Sequence, residues 1–223
     1  MDAPIALVIL AIAITFYMVC FAVTHLLRFL FPALLLVGFA ALYLYTTRRG
    51  KFLVWAELLD GLGLKGDERI LDMGCGRGAV LLLSAQHLTT GRAVGVDIWK
   101  SFDQSGNALA ATLRNAQAEG VAERVELHTA DMRALPFADA SFDLIVSSLA
   151  IHNIHGGAER DKAIDEAVRV LRPGGRLMIA DVRATGKYQA RLAQLGMNNL
   201  RRRGLGWRFG CGVTRLVTAK KPS

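Results

Sequence analysis

The stretch Ile70-Leu71-Asp72-Met73-Gly74-Cys75-Gly76-Arg77-Gly78 restricts what this chain can fold into more than any other. A short apolar run enters three glycines at alternate positions, and a helix-forming run, Ala79-Val80-Leu81-Leu82-Leu83, follows at once. Glycine lets the backbone turn sharply and approach a ligand closely. The first amides of the following helix have no partner within it and face that ligand. The spacing is G-x-G-x-G with an acid, Asp72, just before it, not the G-x-G-x-x-G of a dinucleotide fold.

The same pattern of apolar strand ending in a polar residue returns along the chain. Ala93-Val94-Gly95-Val96-Asp97-Ile98 ends in an acid placed where nucleotide-binding α/β folds bind both ribose hydroxyls. Val125 to Met132, with Asp131 near its end, is a third strand, Phe142 to Ser148 a fourth, and Leu171-Arg172-Pro173-Gly174-Gly175 leads into a fifth that runs to Asp181. Helical stretches over 77–88, 103–119 and 157–171 alternate with strands over 68–73, 93–98, 125–131, 142–149 and 175–181. This alternation predicts a parallel sheet covered by helices on both faces. A short helix over 187–195 and two strands over 198–209 and 213–220, joined at Gly210-Cys211-Gly212, complete the chain.

This ordered series, from Arg69 to Asp181, resembles the motifs of the class I S-adenosylmethionine (SAM) methyltransferases. The resemblance implies an α/β, Rossmann-like sheet of seven strands, mostly parallel and closed by an antiparallel hairpin. It implies SAM as cofactor and S-adenosylhomocysteine as product. The turn carrying Gly74, Gly76 and Gly78 would hold the methionine part, with Asp72 near its ammonium. Asp97 would fix the ribose, Asp131 and the Met132 backbone would read the adenine, and Ile98 or Trp99 would pack on the adenine face. Ser148, at the end of the fourth strand, joins this cofactor set.

Composition divides the chain in two. Residues 1–47 carry only Asp2 and Arg28 as formal charges, so the net charge of +8 lies wholly beyond them. Ile5 to Val23 is an apolar run of 19 residues, long enough to cross the ~30 Å hydrocarbon layer as a helix. After Thr24-His25-Leu26-Leu27-Arg28, a second run of 17 residues spans Phe29 to Tyr45, with Pro32 near its start. These read as a transmembrane helical hairpin. Arg48, Arg49 and Lys51 follow, a positive-inside signal that places the catalytic domain on the cytoplasmic side, with the N-terminus. A cleaved signal peptide would want a basic start, and the chain begins Met-Asp-Ala-Pro. A buried hairpin in a soluble protein, and one spanning helix beside one lying at the interface, are the other arrangements. The expected organisation is thus a membrane anchor over 1–47, a basic juxtamembrane segment and amphipathic helix over 48–67, and a methyltransferase domain over 68–223.

Residues 183–223 hold ten Arg or Lys and no acid. A solvated face accounts for this, as does attraction to anionic headgroups beside a bilayer. Nucleic acid is not expected, because the chain has an apolar segment and no appended RNA-binding module. Cys20, Cys75 and Cys211 form no disulfide framework.

Acceptor chemistry should come from just beyond the fourth strand, Ser147-Ser148-Leu149-Ala150-Ile151-His152-Asn153-Ile154-His155. This stretch lacks the Asn-Pro-Pro-Tyr form used on amide or ring nitrogens. His152 is the general-base candidate, since a neutral imidazole takes a proton from a phenol or hydroxyl near neutral pH. Its alternative role is structural, capping the strand or shaping the pocket. His152-x-x-His155 lacks the carboxylate or cysteine support of a metal site, and no metal is expected. The expected partner is a small lipophilic acceptor, a phenol, quinol or lipid, with O-methylation favoured. Methylation of a membrane protein and a non-catalytic SAM-binding subunit are the rival readings.

Overall fold

The computed structural model describes residues 4–100 and 106–223. Helix α1 covers Pro4–Thr24 and α2 covers Leu30–Tyr45, antiparallel neighbours joined by a short 3-10 turn at Leu27–Phe29. Both are apolar all round, and side chains such as Val8, Phe16, Phe31 and Leu34 are open to the outside. By length and composition, 6–24 and the helical stretch 27–60 are each able to cross a membrane.

That second stretch runs on past residue 47 as one helix. A π-helical turn at Thr46–Gly50 carries α2 directly into α3, Lys51–Asp60. None of Thr46, Thr47, Arg48 and Arg49 forbids helix. The threonine hydroxyls add hydrogen bonds back to the carbonyls of Tyr43 and Leu44. The amphipathic helix of the 48–67 segment is therefore a continuation of α2, and its inner face belongs to the globular core.

The sheet comprises β1 (Arg69–Met73), β2 (Arg92–Asp97), β3 (Val125–Thr129), β4 (Phe142–Ser148), β5 (Leu171–Asp181), β6 (Asn198–Gly204) and β7 (Arg215–Lys220), in the order β3-β2-β1-β4-β5-β7-β6. The first five are parallel, and β7 pairs antiparallel with both β5 and β6. This is the seven-stranded, mostly parallel sheet expected of the chain. Helices α4 (Ala79–Gln86), α5 (Leu109–Ala118), α6 (Gly157–Val170) and α7 (Thr185–Gln194) cover it. The helix expected over 103–119 begins partly outside the described residues.

Each face of the sheet has its own core. Val54, Trp55 and Leu59 of α3 pack with α4 and with Ile70, Leu144 and Val146. On the other face Ala163, Ile164 and Ala167 of α6 and Tyr188 and Leu192 of α7 pack on Leu71, Val94, Ile145 and Ile179. Strands buried on both faces read as apolar runs without alternation, which is why they stand out in the sequence.

One expected feature is corrected. β6 stops at Gly204 instead of reaching residue 209, and β7 starts at Arg215, so residues 205–214 form a long connection with a 3-10 turn at Gly210–Gly212. Leu205 and Phe209 leave the strand pattern to bury themselves in the α3 core, at 7% and 1% exposure. Burying a large apolar side chain stabilises by ~1.5–3 kcal/mol, more than a few edge-strand pairings would.

Candidate active site

Parallel strands gather their carboxyl ends on one edge, and the site is built there. Gly74 follows β1 with φ +76, and the amides of Gly74 and Cys75 both donate to the Val96 carbonyl of β2, at 2.8 and 3.1 Å. Gly78, φ +89, starts α4 in a left-handed conformation that suits glycine. A Cβ on Gly74 would lie 2.3 Å from the Ala150 Cβ and 3.1 Å from the Met132 Cε. The turn, the segment after β3 and the segment after β4 therefore converge on Gly74.

Asp97 holds this turn in place. Its carboxylate accepts from the amide of Gly76 at 2.9 Å, from the amide of Trp99 at 2.7 Å and from Asn107 Nδ2 at 3.3 Å. Asp72 is deeply buried, and its Oδ1 has no hydrogen-bond partner. Burial pushes its carboxyl up to about 7, opposed by a backbone hydrogen bond from Leu81 and reinforced by the nearby Asp97 charge. An orphaned buried carboxyl oxygen beside a glycine cradle fits a ligand that brings a cationic donor. The donor set thus suits the ammonium end of SAM.

The remaining cofactor candidates are placed less uniformly. Ile98 is 43% exposed beyond β2, free to cover a flat ligand. The Trp99 indole donates to Thr129 Oγ1 at 2.8 Å across the ends of β2 and β3. Asp131 is occupied: Arg133 Nε and Nη2 reach its carboxylate at 2.6–3.0 Å, and this ion pair holds it below the usual carboxylate range. An adenine amine would have to share those oxygens with the guanidinium. Ser148 Oγ accepts from Trp55 Nε1 at 3.0 Å, which ties the end of β4 to α3. Trp99 and Leu149, both at strand ends on this edge, have φ of 56° and 55°, a strained conformation for large side chains.

His152 lies in a 3-10 turn after β4, with its side chain 19% exposed. Its Nδ1 is 2.5 Å from Asp181 Oδ1, an approach close but off the hydrogen-bond line, and its backbone amide donates to Asp181 Oδ2 at 3.0 Å. Asp181, fully buried at the end of β5, also accepts from the Tyr188 hydroxyl at 3.3 Å and from the Val182 amide at 2.8 Å. Burial first, and the Asp181 charge with it, push the Tyr188 phenol well up, so it stays a donor. Asp181 thus lies on the Nδ1 side of the ring, and Nε2 is the nitrogen turned away from it. Sequence reasoning passed over Asp181, although its place at a strand end is the same signal that marked Asp97. His155 has no such partner among the described contacts.

Residues 71–179 match a family model described as a methyltransferase domain. The ubiquinone/menaquinone biosynthesis C-methyltransferase UbiE of Roseobacter denitrificans is 33% identical over 129 residues, 57% of this chain and 48% of that protein. Methyltransferase GfsG of Streptomyces halstedii is 37% identical over 130 residues, 58% of this chain and 43% of its own. The chain thus spans about half the length of the curated relatives it matches. Among solved structures, the [4+2]-cyclase SpnF superposes with a TM-score of 0.60 at 21% identity, over 75% of this chain and 81% of that one. A cyclase on this fold means that the site, not the fold, must carry the argument about reaction type.

Proposed function

We propose, from the premise that this chain belongs to the class I SAM-dependent methyltransferases, that it is a membrane-anchored enzyme moving a methyl group to a small lipophilic acceptor. The observation that carries the reading is the His152–Asp181 pair set beside an intact glycine cradle. A buried carboxylate against an imidazole supports catalysis over a subunit that only binds the cofactor. When bound, SAM supplies a methyl group already activated on a sulfonium. The protein then needs to position, exclude water and move one proton.

Gly74–Gly78 and Asp72 would hold the methionine end, Asp97 the ribose, and Ile98 and Met132 the adenine region, with Asp131 reaching it alongside Arg133. His152 Nε2 takes the hydroxyl proton of the acceptor, and Asp181 steadies the imidazolium that results. Removing that proton raises the nucleophilicity of the oxygen and of the ring carbon beside it. O-methylation and the C-methylation named for the UbiE relative can therefore use the same base. The apolar α1–α2 pair supports a bilayer location, Arg48 and Arg49 a cytoplasmic domain, and residues 183–223 an attraction to anionic headgroups.

The test is a transfer assay with radiolabelled SAM, the full chain in lipid nanodiscs and a lipid extract as acceptor pool. Label should enter the organic phase, and mass spectrometry of the product reads the accepting atom. Label confined to protein would replace the small-molecule acceptor with a membrane protein. Tight NAD binding without SAM binding would overturn the reading altogether.

Asp72 gives this site a pH signature. Its ionised form is the one that pairs with the SAM ammonium. Above about pH 7 it is ionised already; below, it must first lose its proton, so SAM affinity should fall by up to about tenfold per pH unit. For the unliganded fold the sign reverses. Folded Asp72 keeps its proton to higher pH than unfolded Asp, so its stabilising contribution is lost between about pH 4 and about pH 7. Calorimetric titration at several pH values checks the first slope, and Asp72→Asn should flatten it.

A further inference from the structure

The direction in which α3 crosses the sheet fixes which edge of the domain meets the anchor. Trp55 is bonded to Ser148 at the carboxyl end of β4, whereas the Leu62 carbonyl beyond α3 accepts, at 2.6 Å, from Arg176, which pairs with Leu144 near the amino end of β4. The helix therefore runs from the carboxyl edge towards the amino edge. Followed backwards from Trp55, it leaves the domain past the carboxyl edge and enters the apolar stretch of α2.

Thr46 is nine residues before Trp55, about 14 Å along a helix. A headgroup layer is ~5–8 Å thick on each side of the hydrocarbon. The connection between β6 and β7 lies inside that short interval. A Cβ on Gly50 would fall 1.9 Å from the Arg208 carbonyl oxygen, Thr46 Oγ1 is 3.9 Å from Cys211 Sγ, and Arg208 makes a two-pronged ion pair with Glu57 at 2.7 Å. Because β7 starts at Arg215 opposite Asp181, this connection belongs to the carboxyl edge as well.

Its exposed face is suited to a bilayer surface. Leu205 and Phe209 pin it to the core, yet Trp207 and Val213 are 69% and 60% exposed. Trp207 does not dangle: its ring lies over Gly212, where a Cβ would touch it at 3.3 Å. Beyond α2, six large apolar side chains are exposed among the described residues, and four of them, Ile98, Val182, Trp207 and Val213, sit on this edge. Exposed Arg48, Arg49, Arg203 and Arg215 surround it. An amphipathic indole ringed by arginines is the composition of a membrane–water interface.

We propose that the carboxyl edge of the sheet faces the bilayer, with the 205–214 connection as a foot whose Trp207 and Val213 enter the headgroup region. This rests on the membrane-anchored reading above, and goes beyond it by naming the face and the contact. His152, at the same edge, then lies towards the membrane surface, so an acceptor dissolved in lipid reaches the base without crossing bulk water.

The test uses the full chain in vesicles of phosphatidylcholine and phosphatidylglycerol whose acyl chains carry bromine, a quencher of tryptophan emission. Flotation reports whether the chain is held by the membrane. Emission should be quenched by the brominated lipid, and Trp207→Phe should remove that quenched component while SAM binding persists. Val213→Trp in the Trp207→Phe background should restore it. Flotation with no lipid-quenched component from either reporter, and ready quenching by aqueous iodide, would overturn the proposal and leave the anchor intact. A chain that fails to float would overturn both.

Discussion

Turnover should fall by roughly 10²–10⁴-fold in His152→Ala, with SAM affinity almost unchanged. The imidazole stands after β4 beside a buried carboxylate, whereas the proposed cofactor contacts lie at the glycine turn and the ends of β2 and β3. Asp181→Asn tests the partnership. Asp181 acts through the histidine, so it is a positioning residue, and its loss should lower kcat less than removal of His152. The double variant should be no slower than His152→Ala alone, because a group that works only through another contributes nothing once that other is gone. A merely structural Asp181 would give additive losses. The comparison requires the true acceptor, since a surrogate phenol of low pKa ionises unaided. Near-normal turnover of His152→Ala from about pH 6 to about pH 8 would reduce the residue to a pocket wall.

Asp97→Ala should weaken SAM binding by about one to three kcal/mol, roughly 5- to 150-fold in Kd, measured by calorimetry. Two losses combine. The ribose loses its acceptor, and the Gly76 and Trp99 amides lose the carboxylate that shapes the turn. Asp97→Asn keeps one acceptor oxygen and should fall between the two. Asp131→Ala should cost less than Asp97→Ala, because Arg133 already occupies the Asp131 carboxylate and would take up new partners when released. Equal effects at the two positions would mean that adenine displaces Arg133 and that the ion pair belongs to the unliganded state alone.

The succession of strands and the residues at their carboxyl ends are legible because buried parallel strands are short apolar runs, each punctuated by glycine or an acid where the chain turns. What was not legible involved partners far apart in sequence. Asp181 meets His152 across 29 residues, and Trp55 meets Ser148 across 93, with no local pattern to announce either pair. The connection 205–214 was misread because Leu205, Trp207 and Phe209 alternate as a strand would. Leu205 and Phe209 turn into the core beneath α3 while Trp207 stays outside. The continuity of α2 with α3 is equally invisible in the sequence. Threonine and arginine end an apolar run without ending a helix, and the hydrogen-bonded backbone continues through the π turn into α3.

That uninterrupted helix gives the molecule a fixed helical phase. A flexible tether would let the domain tumble against the apolar helices. Here each residue inserted between Tyr45 and Lys51 would rotate the domain by about 100° about the anchor axis and raise it by about 1.5 Å. Two insertions would turn the domain by about 200° relative to α1 and lift it by about 3 Å, and a full turn would restore its bearing at a height about 5 Å greater. The register between the apolar helices and the domain is therefore a quantity in its own right, set by the count of residues in one helix.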